Sequence, residues 1–384
     1  MNEDNLLTAC RQEIDKIDRE IVDLFVRRME VSARIAGYKK EHALPVWDPT
    51  REREKLSAVQ SASPEELRPY AAALYTQILS LSRSRQMLLN GGESGIADVI
   101  RAALDKTPSL FPESACVACQ GVEGANSQFA CEKLFSHPDI MFFSGFDAVF
   151  SAIEKGLCRY GIVPVENSTA GTVKAVYDLM MDHRFYIVRS VRLKVDHDLL
   201  ARPGAVLQDI REIYSHEQAI GQCSHFLSTL RNVRVIPCEN TAAAAKMVAA
   251  SGRGDVAALA NPRCTEYYPL ARLVRAVQNN NSNYTRFICI SREPEIYPGA
   301  DRTSLMLTLP HKPGALCRLL GSIAALDVNL TKLESRPLPG SDFEFMFYFD
   351  MLLPVYSPKL TQLMAELPVQ CERFSYLGSY SEVF

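Results

Sequence analysis

One feature near the start of this chain constrains its folding more than any other. Leu7, Cys10, Ile14, Ile17, Ile21, Leu24, Val31 and Ile35 follow the spacing of three and four that marks one face of a helix. The stretch from residue 6 to about 40 holds no proline, and its one glycine, Gly37, comes near the end. At 1.5 Å per residue such a helix is roughly 50 Å long, longer than a small domain is wide. Its apolar face must therefore be covered by something outside its own compact unit.

Asp48-Pro49 supplies an N-cap and a first-turn proline for a second helix through about residue 60. Ser63-Pro64-Glu65-Glu66 opens a third that runs to about Leu89, where Asn90-Gly91-Gly92 stops it. Residues 91 to 112, rich in Gly, Ser and Pro around one short helical stretch, read as a linker. From Ala115 short β-rich runs alternate with helical ones: strands over 115–120, 159–164, 185–195, 212–214, 255–259 and 284–291, helices over 126–136, 147–155, 173–182, 217–230 and 241–251. That alternation predicts an α/β unit with a largely parallel sheet. After a turn-rich hinge at 294–299, the last segment reads β (303–309), α (313–325), β (328–336), β (343–352), α (357–366), β (371–380), the ferredoxin-like order. The expected division is 1–92 all-helical, 93–112 linker, 113–294 α/β and 301–384 α+β. Three domains suit a chain of 384 residues.

Apolar residues make up 47% of the chain and charged residues 23%, with formal net charge −3, the composition of a soluble globular protein. That charge implies no nucleic-acid partner. The apolar runs stop well short of the ~18 residues of a membrane span, and the acidic start Met-Asn-Glu-Asp is unlike a signal peptide, so no membrane partner and a cytoplasmic location are expected. Eleven cysteines, an odd number, point to reduced and mostly buried thiols. Cys116 and Cys119 lie three apart on a predicted strand, so their sulfurs face opposite ways and cannot easily share an ion. No metal is expected.

The polar residues of the helical part carry the first chemical signal. Arg28 falls on the apolar seam between Leu24 and Val31, where a guanidinium needs an anion. Lys39, eleven residues on, returns to nearly the same face about 16 Å away, a gap that two long side chains can close around a small anion. Asp48, Arg51 and Glu52 share a face of the second helix, and Ser82 and Gln86, four apart, share a face of the third. Any one of these could be solvated surface; together they form a set.

Residues 1 to 92 resemble the all-helical chorismate mutase family, matched by Arg11, Arg28, Lys39, Asp48-Pro49-x-Arg51-Glu52 and Ser82-x-x-x-Gln86. The resemblance implies that Arg11, Arg28 and Arg51 hold the two carboxylates of chorismate, that Lys39 and Gln86 bond its ether oxygen, that Glu52 or Asp48 meets the ring hydroxyl, and that Ser82 belongs to the same site. Arg11 and Arg28 are seventeen residues apart, roughly 25 Å on one helix, too far to grip one substrate from one chain. Arg11 should therefore reach a partner subunit's site, in an interlocked homodimer or a larger homo-oligomer.

In the middle part, small and polar residues cluster at loops after predicted strands, where open sheets place their sites. The segments hold Asn126 and Ser127; Asn167, Ser168 and Thr169; Ser215 and Gln218; and Thr285, Arg286 and Phe287. In this order and spacing, from about 114 to 292, they resemble prephenate dehydratase, with Thr-Arg-Phe the most specific signature. The resemblance implies a two-lobed, periplasmic-binding-protein-like fold whose cleft these residues line. Thr285 would donate a hydrogen bond or proton to the departing hydroxyl of prephenate, and Arg286 would neutralise a carboxylate, with no cofactor and no metal. His216, just before a helix, reads as a cap or a wall residue. Two positions depart from the family pattern: Asn126 stands where many relatives carry an aromatic, and Glu217 where they often carry proline.

At the C-terminus, Gly314-Ala315-Leu316 and Asn329-Leu330, with Glu334-Ser335-Arg336-Pro337, resemble the ACT regulatory domain attached to such dehydratases. That implies L-phenylalanine bound between two such domains at Gly314, Ala315, Leu316, Asn329, Leu330, Glu334, Ser335 and Arg336. The combined expectation is a bifunctional chorismate mutase and prephenate dehydratase under feedback inhibition by phenylalanine. Two alternatives remain open: one activity with a degenerate partner domain, and a small-molecule sensor without catalysis. No Gly-x-Gly-x-x-Gly follows a predicted strand, which excludes a prephenate dehydrogenase.

Overall fold

The long apolar stripe forms a single rod. In the computed structural model, which describes residues 3–90, 95–338, 340 and 344–384, α1 runs Glu3–Glu41 unbroken, 39 residues or about 58 Å. Helix α2 (Pro49–Ala62) starts at its sequence signal: Asp48 accepts from the Arg51 N–H at 3.0 Å and Pro49 occupies the first turn. After a 3-10 turn at Glu65–Leu67, α3 (Arg68–Leu89) packs on both α1 and α2. Much of α1 stays uncovered within one chain, with Leu7, Ile14, Ile17, Ile21 and Leu24 between 49% and 60% exposed.

The glycines of the Asn90-Gly91-Gly92 stop and the first residues of the expected linker lie outside the described residues. The rest is no loose connection. Helix α4 (Gly95–Lys106) buries Ile100 and Ala103 in the C-terminal core beside Leu305, Phe349, Leu360 and Met364, and Phe111 packs in tilted and edge-on contacts among Phe135, Tyr160 and Tyr297.

The α/β unit contains two sheets. The first begins with β1 (Cys116–Gln120), β2 (Asp139–Phe143), β3 (Tyr160–Asn167), the two-residue β4 (Gly171–Thr172) and β5 (Tyr186–Lys194), joined through α5 (Asn126–Leu134), α6 (Phe146–Glu154) and α7 (Lys174–Asp182). The chain then crosses to β6 (Asp198–Ala201), β7 (Glu212–Ser215), β8 (Arg234–Pro237), β9 (Val256–Ala260) and β10 (Ala271–Val274), with α8 (Glu217–Gln222), α9 (Ser224–Ser228) and α10 (Thr241–Ala250), and returns as β11 (Tyr284–Ser291). The second sheet has the order β10-β6-β9-β7-β8.

Both sheets are mixed rather than largely parallel. The βαβ neighbours β1, β2 and β3 are parallel, but β11 returns from the second sheet and pairs antiparallel with β3 and β5. The sequence pattern missed five strands: β2, β8 and β10 are short edge strands, where alternation is weakest, β4 has two residues, and β6, inside the second sheet, has four. The single helix expected over 217–230 is two short ones, broken at Cys223.

The last segment forms the expected βαββαβ unit: β12 (Arg302–Thr308), α11 (Ala315–Ala325), β13 (Asn329–Pro337), β14 (Phe345–Leu352), α12 (Pro358–Gln370) and β15 (Arg373–Val383). Its sheet does not stop at its own edge. After pairing with β12, β15 runs on so that Ser381, Glu382 and Val383 pair parallel with Arg189, Ser190 and Val191 of β5. The result is one sheet of ten strands, ordered β13-β14-β12-β15-β5-β11-β3-β1-β2 with β4 beside β3.

Gly378 sits where β15 changes partner. Its φ of +141° suits glycine, and a Cβ there would lie 2.2 Å from the Ile187 carbonyl oxygen. Gly378→Ala should therefore lower the main thermal transition by about 5–10 °C. A melting curve unchanged by the substitution would show that the junction tolerates separation.

Candidate functional site

Where α1, α2 and α3 meet they surround a cavity of about 360 Å³. Arg28 and Lys39 of α1, Asp48, Arg51 and Glu52 at the start of α2, and Ser82 and Gln86 of α3 all line it. Seven of the eight residues expected here thus come together. Arg11 does not: it is exposed, seventeen positions up the same rod.

The cavity contains three polar residues that the sequence reading missed: Ser32, Lys55 and Arg83. Ser32 and Lys55 follow Arg28 and Arg51 by one helical turn, a spacing that could have flagged them. Arg83 holds both carboxylate oxygens of Glu52, and Arg28 donates to the Ser82 hydroxyl. Lys39 Nζ donates to the Val46 carbonyl at 2.7 Å. Gln86 Nε2 donates to Ser32 Oγ at 2.9 Å, while its Oε1 is buried without a partner. Five cations (Arg28, Lys39, Arg51, Lys55, Arg83) face two carboxylates (Asp48, Glu52), so the cavity is built for an anion.

The second site is a cleft of about 390 Å³ between the two sheets. Asn126 and Ser127 open α5 at its edge; Pro164 and Asn167 come from β3, and Thr285 and Phe287 from β11. The facing lobe contributes His216, Gln218 and Gln222 around α8, and Glu239, Asn240 and Thr241 at the start of α10.

Thr285 is the centre of the bonding pattern. Its Oγ1 accepts from Asn167 Nδ2 at 2.9 Å, which leaves the hydroxyl proton available to a group in the cleft. Asn167 Nδ2 also donates to Asn283 Oδ1 at 2.8 Å, and Asn283 Nδ2 donates to Gln222 Oε1 at 3.0 Å. His197 Nε2 meets the same Gln222 oxygen at 3.1 Å. This chain of amides links β11 to α8 across the two lobes. Asn167 Oδ1 accepts from the Thr169 and Ala170 N–H groups at 3.0 and 2.8 Å, which fixes the loop behind it.

Several expected residues are placed otherwise. Arg286 does not face the cleft: successive strand residues point to opposite faces, and with Thr285 and Phe287 inward its guanidinium goes through to the C-terminal unit. There it meets Asp350, Tyr380 Oη at 2.9 Å and Glu382 Oε1 at 3.0 Å. Ser215 is fully buried and donates to the Leu259 carbonyl at 2.7 Å, a sheet contact rather than a cleft contact. Ser168 donates to the Ser282 carbonyl at 3.1 Å and accepts from the Tyr284 N–H at 2.9 Å, clipping two loops together. Thr169 lines an adjoining cavity of about 270 Å³ that shares Gln218 and Gln222 with the cleft. Ser127 lines the cleft but its hydroxyl donates to the Gln120 carbonyl at 2.6 Å.

His216 both caps and lines, its Nδ1 accepting from the Gln218 N–H at 3.3 Å. Asn126, at the position of the absent aromatic, accepts from Asn261 Nδ2 at 3.1 Å. Glu217 simply begins α8. The sequence reading missed His197, Glu239, Asn240 and Thr241. Asn240 caps α10 by accepting from the Ala243 N–H at 2.7 Å, a cap after a strand that could have been read. Among the described residues that line the cleft there is no lysine or arginine, and Glu239 is the one carboxylate.

In the C-terminal unit Gly314 takes φ +76° ahead of α11, and Ala315, Leu316 and Leu330 pack partly buried against the core. Asn329 and Ser335 are exposed. The other face of β13 turns inward: Glu334 accepts from Thr172 Oγ1 at 2.8 Å, and Arg336 grips both Asp178 oxygens at 2.9 Å. All eleven cysteines are free; Cys116 Sγ lies 3.5 Å from Cys158 Sγ while Cys119 bonds towards Ser127. Among the described residues there is no cluster of three metal-ligating side chains, and no helix is long and apolar enough to cross a membrane.

The family profile of chorismate mutase type II matches residues 10–87, and that of prephenate dehydratase matches residues 117–295. A bifunctional chorismate mutase/prephenate dehydratase of Enterobacter agglomerans is 30% identical over 99% of this chain and 97% of its own length. The chain belongs to this bifunctional family. Arogenate dehydratase/prephenate dehydratase 2 of Arabidopsis thaliana, a chloroplastic protein, is 36% identical over 69% of the chain and 72% of its own. The crystal structure of a prephenate dehydratase from Arthrobacter aurescens, in complex with L-Phe, superposes with a TM-score of 0.64 at 28% identity, over 69% of this chain and 89% of that one. The chain is thus an isomerase that converts chorismate to prephenate and a lyase that converts prephenate to phenylpyruvate, two steps of phenylalanine biosynthesis.

One group beside the dehydratase cleft makes stability depend on pH. His197 is 3% exposed, and burial holds its pKa below the ordinary 6.5 although the Gln222 hydrogen bond opposes the shift. As pH falls below about 6.5 the unfolded chain takes up a proton that the folded one refuses, so stability is full above that pH and declines towards the folded-state pKa. His197→Gln should flatten this acid-side loss; denaturant midpoints at pH 7.5 and 5.5 that differ equally in both proteins would contradict it.

Proposed function

We propose that the cationic cavity of the helical unit binds chorismate and that Thr285 drives the loss of water from prephenate in the cleft. In the cavity, Arg28 and Arg51 take the substrate carboxylates, and Arg11 arrives from a second subunit. Lys39 and Gln86 bond the ether oxygen. A half-turn of the Gln86 amide lets Ser32 donate to the unpartnered Oε1 and aims Nε2 at the substrate. Glu52, held by Arg83, or Asp48 meets the ring hydroxyl. The ether C–O bond breaks as a C–C bond forms without any proton transfer, so the site acts by holding the compact conformer and by placing cations where oxygen gains charge.

In the cleft, the Thr285 hydroxyl donates to the leaving hydroxyl. The ring carboxylate departs as carbon dioxide, its electron pair completes the aromatic ring, and the hydroxyl leaves, to become water with a proton finally drawn from solvent. The single observation that carries this reading is that Thr285 Oγ1 already accepts from Asn167, so its proton has nowhere nearer to go than the cleft. With Arg286 turned away, the side-chain amides of Asn126, Gln218 and Asn240 and the N–H groups that begin α5 and α10 receive the carboxylates. Neutral donors suffice in a site that two lobes, arranged as in periplasmic binding proteins, close against water.

The exposed apolar face of α1 supports an interlocked dimer, because burying it requires a surface that one chain lacks. The βαββαβ unit acts as an ACT domain that binds phenylalanine. Thr308 of β12 and Arg336 of β13 both stand opposite Met346, so the glycine-led start of α11 and the Glu334–Arg336 segment share one end of the sheet. Ser335, Gly314, Ala315 and Leu316 form the ligand face with a partner, while Glu334 and Arg336 pass its presence inward. The assembly works in the cytoplasm.

Thr285→Ala should cut phenylpyruvate formation roughly 10²–10³-fold and leave chorismate turnover intact, and Arg28→Ala should do the reverse. Equal loss of both activities in either variant would refute the division of labour. Mixing the Arg11→Ala and Arg28→Ala proteins under subunit exchange should restore about one quarter of wild-type mutase activity, because half the dimers then hold one intact site of two. A mixture no more active than its parts would exclude a shared site.

A further inference from the structure

Thr285 and Asn167 stand opposite each other in the β11–β3 ladder, and so do their neighbours Arg286 and Glu166. Alternation sends the first pair into the cleft and the second pair through to the far face of the sheet. On that face the C-terminal unit holds both. Arg286 meets Asp350 of β14 and Tyr380 and Glu382 of β15, with side-chain exposures of 8% for the arginine and 1% for each carboxylate. Glu166 lies 3.2 Å from Lys332 Nζ of β13.

Asp350 is itself fixed by the hydroxyls of Ser304 and of Tyr348, the latter at 2.6 Å. The β11–β3 register shifts between Arg286 and Phe287, where the ladder is least regular and an outside contact has most influence on the strand's twist. A guanidinium in the interior cannot be left unpaired, so a movement of β14 or β15 must carry Arg286 with it. Arg286 shares a peptide unit with Thr285, so that movement re-aims the Thr285 hydroxyl.

We propose that Arg286 is a positioning residue for dehydration: the C-terminal unit, gripping Arg286 through Asp350 and Glu166 through Lys332, sets the placement of Thr285 and Asn167 in a cleft it does not touch. The proposal rests on the role of Thr285 given above, and Thr285→Ala is therefore included in its test.

Full-length Asp350→Asn, Lys332→Gln, Lys332→Arg and Thr285→Ala proteins are assayed separately on prephenate and on chorismate. Asp350→Asn should lower the dehydratase kcat at least about tenfold with KM within about twofold, and leave mutase kcat/KM within about twofold. Lys332→Gln should lower the dehydratase kcat about threefold, and Lys332→Arg, which keeps the charge, should restore it. If Asp350→Asn loses both activities through misfolding, Lys332→Gln decides, and an unchanged kcat there overturns the proposal. A wild-type kcat in Asp350→Asn beside an inactive Thr285→Ala overturns the proposal alone, as does a raised KM with unchanged kcat. An active Thr285→Ala overturns the assignment of Thr285 and this proposal with it.

Discussion

The charge of Arg286 lies in the interior of the molecule, where little water reaches it. Burial pulls its guanidinium towards neutrality, but the oxygens of Tyr380, Asp350 and Tyr348 more than reverse this and hold its pKa above the ordinary arginine value. Glu382 receives two further arginines, Arg192 at 2.8 Å and Arg302 at 3.2 Å. Two buried carboxylates among three guanidiniums thus tie β5 and β11 to β12, β14 and β15. Removing one of its buried members, Arg286, Asp350 or Glu382, typically costs about 3–5 kcal/mol, because a partner is left charged in a dry place. The continuous ladder through Ser381–Val383 and the close approach at Gly378 add to the same join. The C-terminal unit is therefore an extension of the first sheet of the α/β unit and not a separate body on a tether.

On the proposed assignment, the two sites meet dianionic substrates in opposite ways. The helical cavity assembles five cations against two carboxylates, whereas the cleft offers amides, hydroxyls, two histidines and helix starts with one carboxylate and no lysine or arginine among its described lining. The chemistry gives a reason. Rearrangement of chorismate keeps both carboxylates and puts charge on an ether oxygen, which fixed cations favour throughout. Dehydration expels one carboxylate as neutral carbon dioxide. A strong cation beside it would stabilise the bound carboxylate more than the departing one and raise the barrier, while a neutral donor binds less tightly and releases more readily.

Much of this was legible in the residues because caps and periodicity act locally. Asp48-Pro49 marked the start of α2, and the three-four spacing of α1 announced a rod too long for its own unit. The set around Arg28 and Gln86 could be read because helix positions one turn apart must share a face. Tertiary placement decided the rest. Ser215 and Ser168 carry the residue types of a binding site, yet their hydroxyls pair with backbone carbonyls that only the folded sheet and loops supply. Short edge strands such as β8 have too few residues to show alternation. Arg286 is the exception, since the information was present: the period-two argument that separates Cys116 from Cys119 also separates Arg286 from Thr285 and Phe287.

That periodicity explains how one unit can stand behind both sites. On α3, Ser82 and Gln86 face the mutase cavity, while Ser84, turned about 200° from Ser82, accepts from Gln362 Nε2 of α12 at 2.6 Å. Next to it Glu366 is buried, which raises its pKa against the opposing hydroxyls of Ser84 and Ser322. On β11 and β3 the alternation is 180°, with Thr285 and Asn167 forward and Arg286 and Glu166 behind. Each site is thus built on an element whose reverse face the C-terminal unit occupies, and the distance from that unit to the chemistry is one or two residues of backbone. Coupling over such a distance needs no relay of side chains through the core, because a helix or strand that turns on its axis moves both of its faces at once.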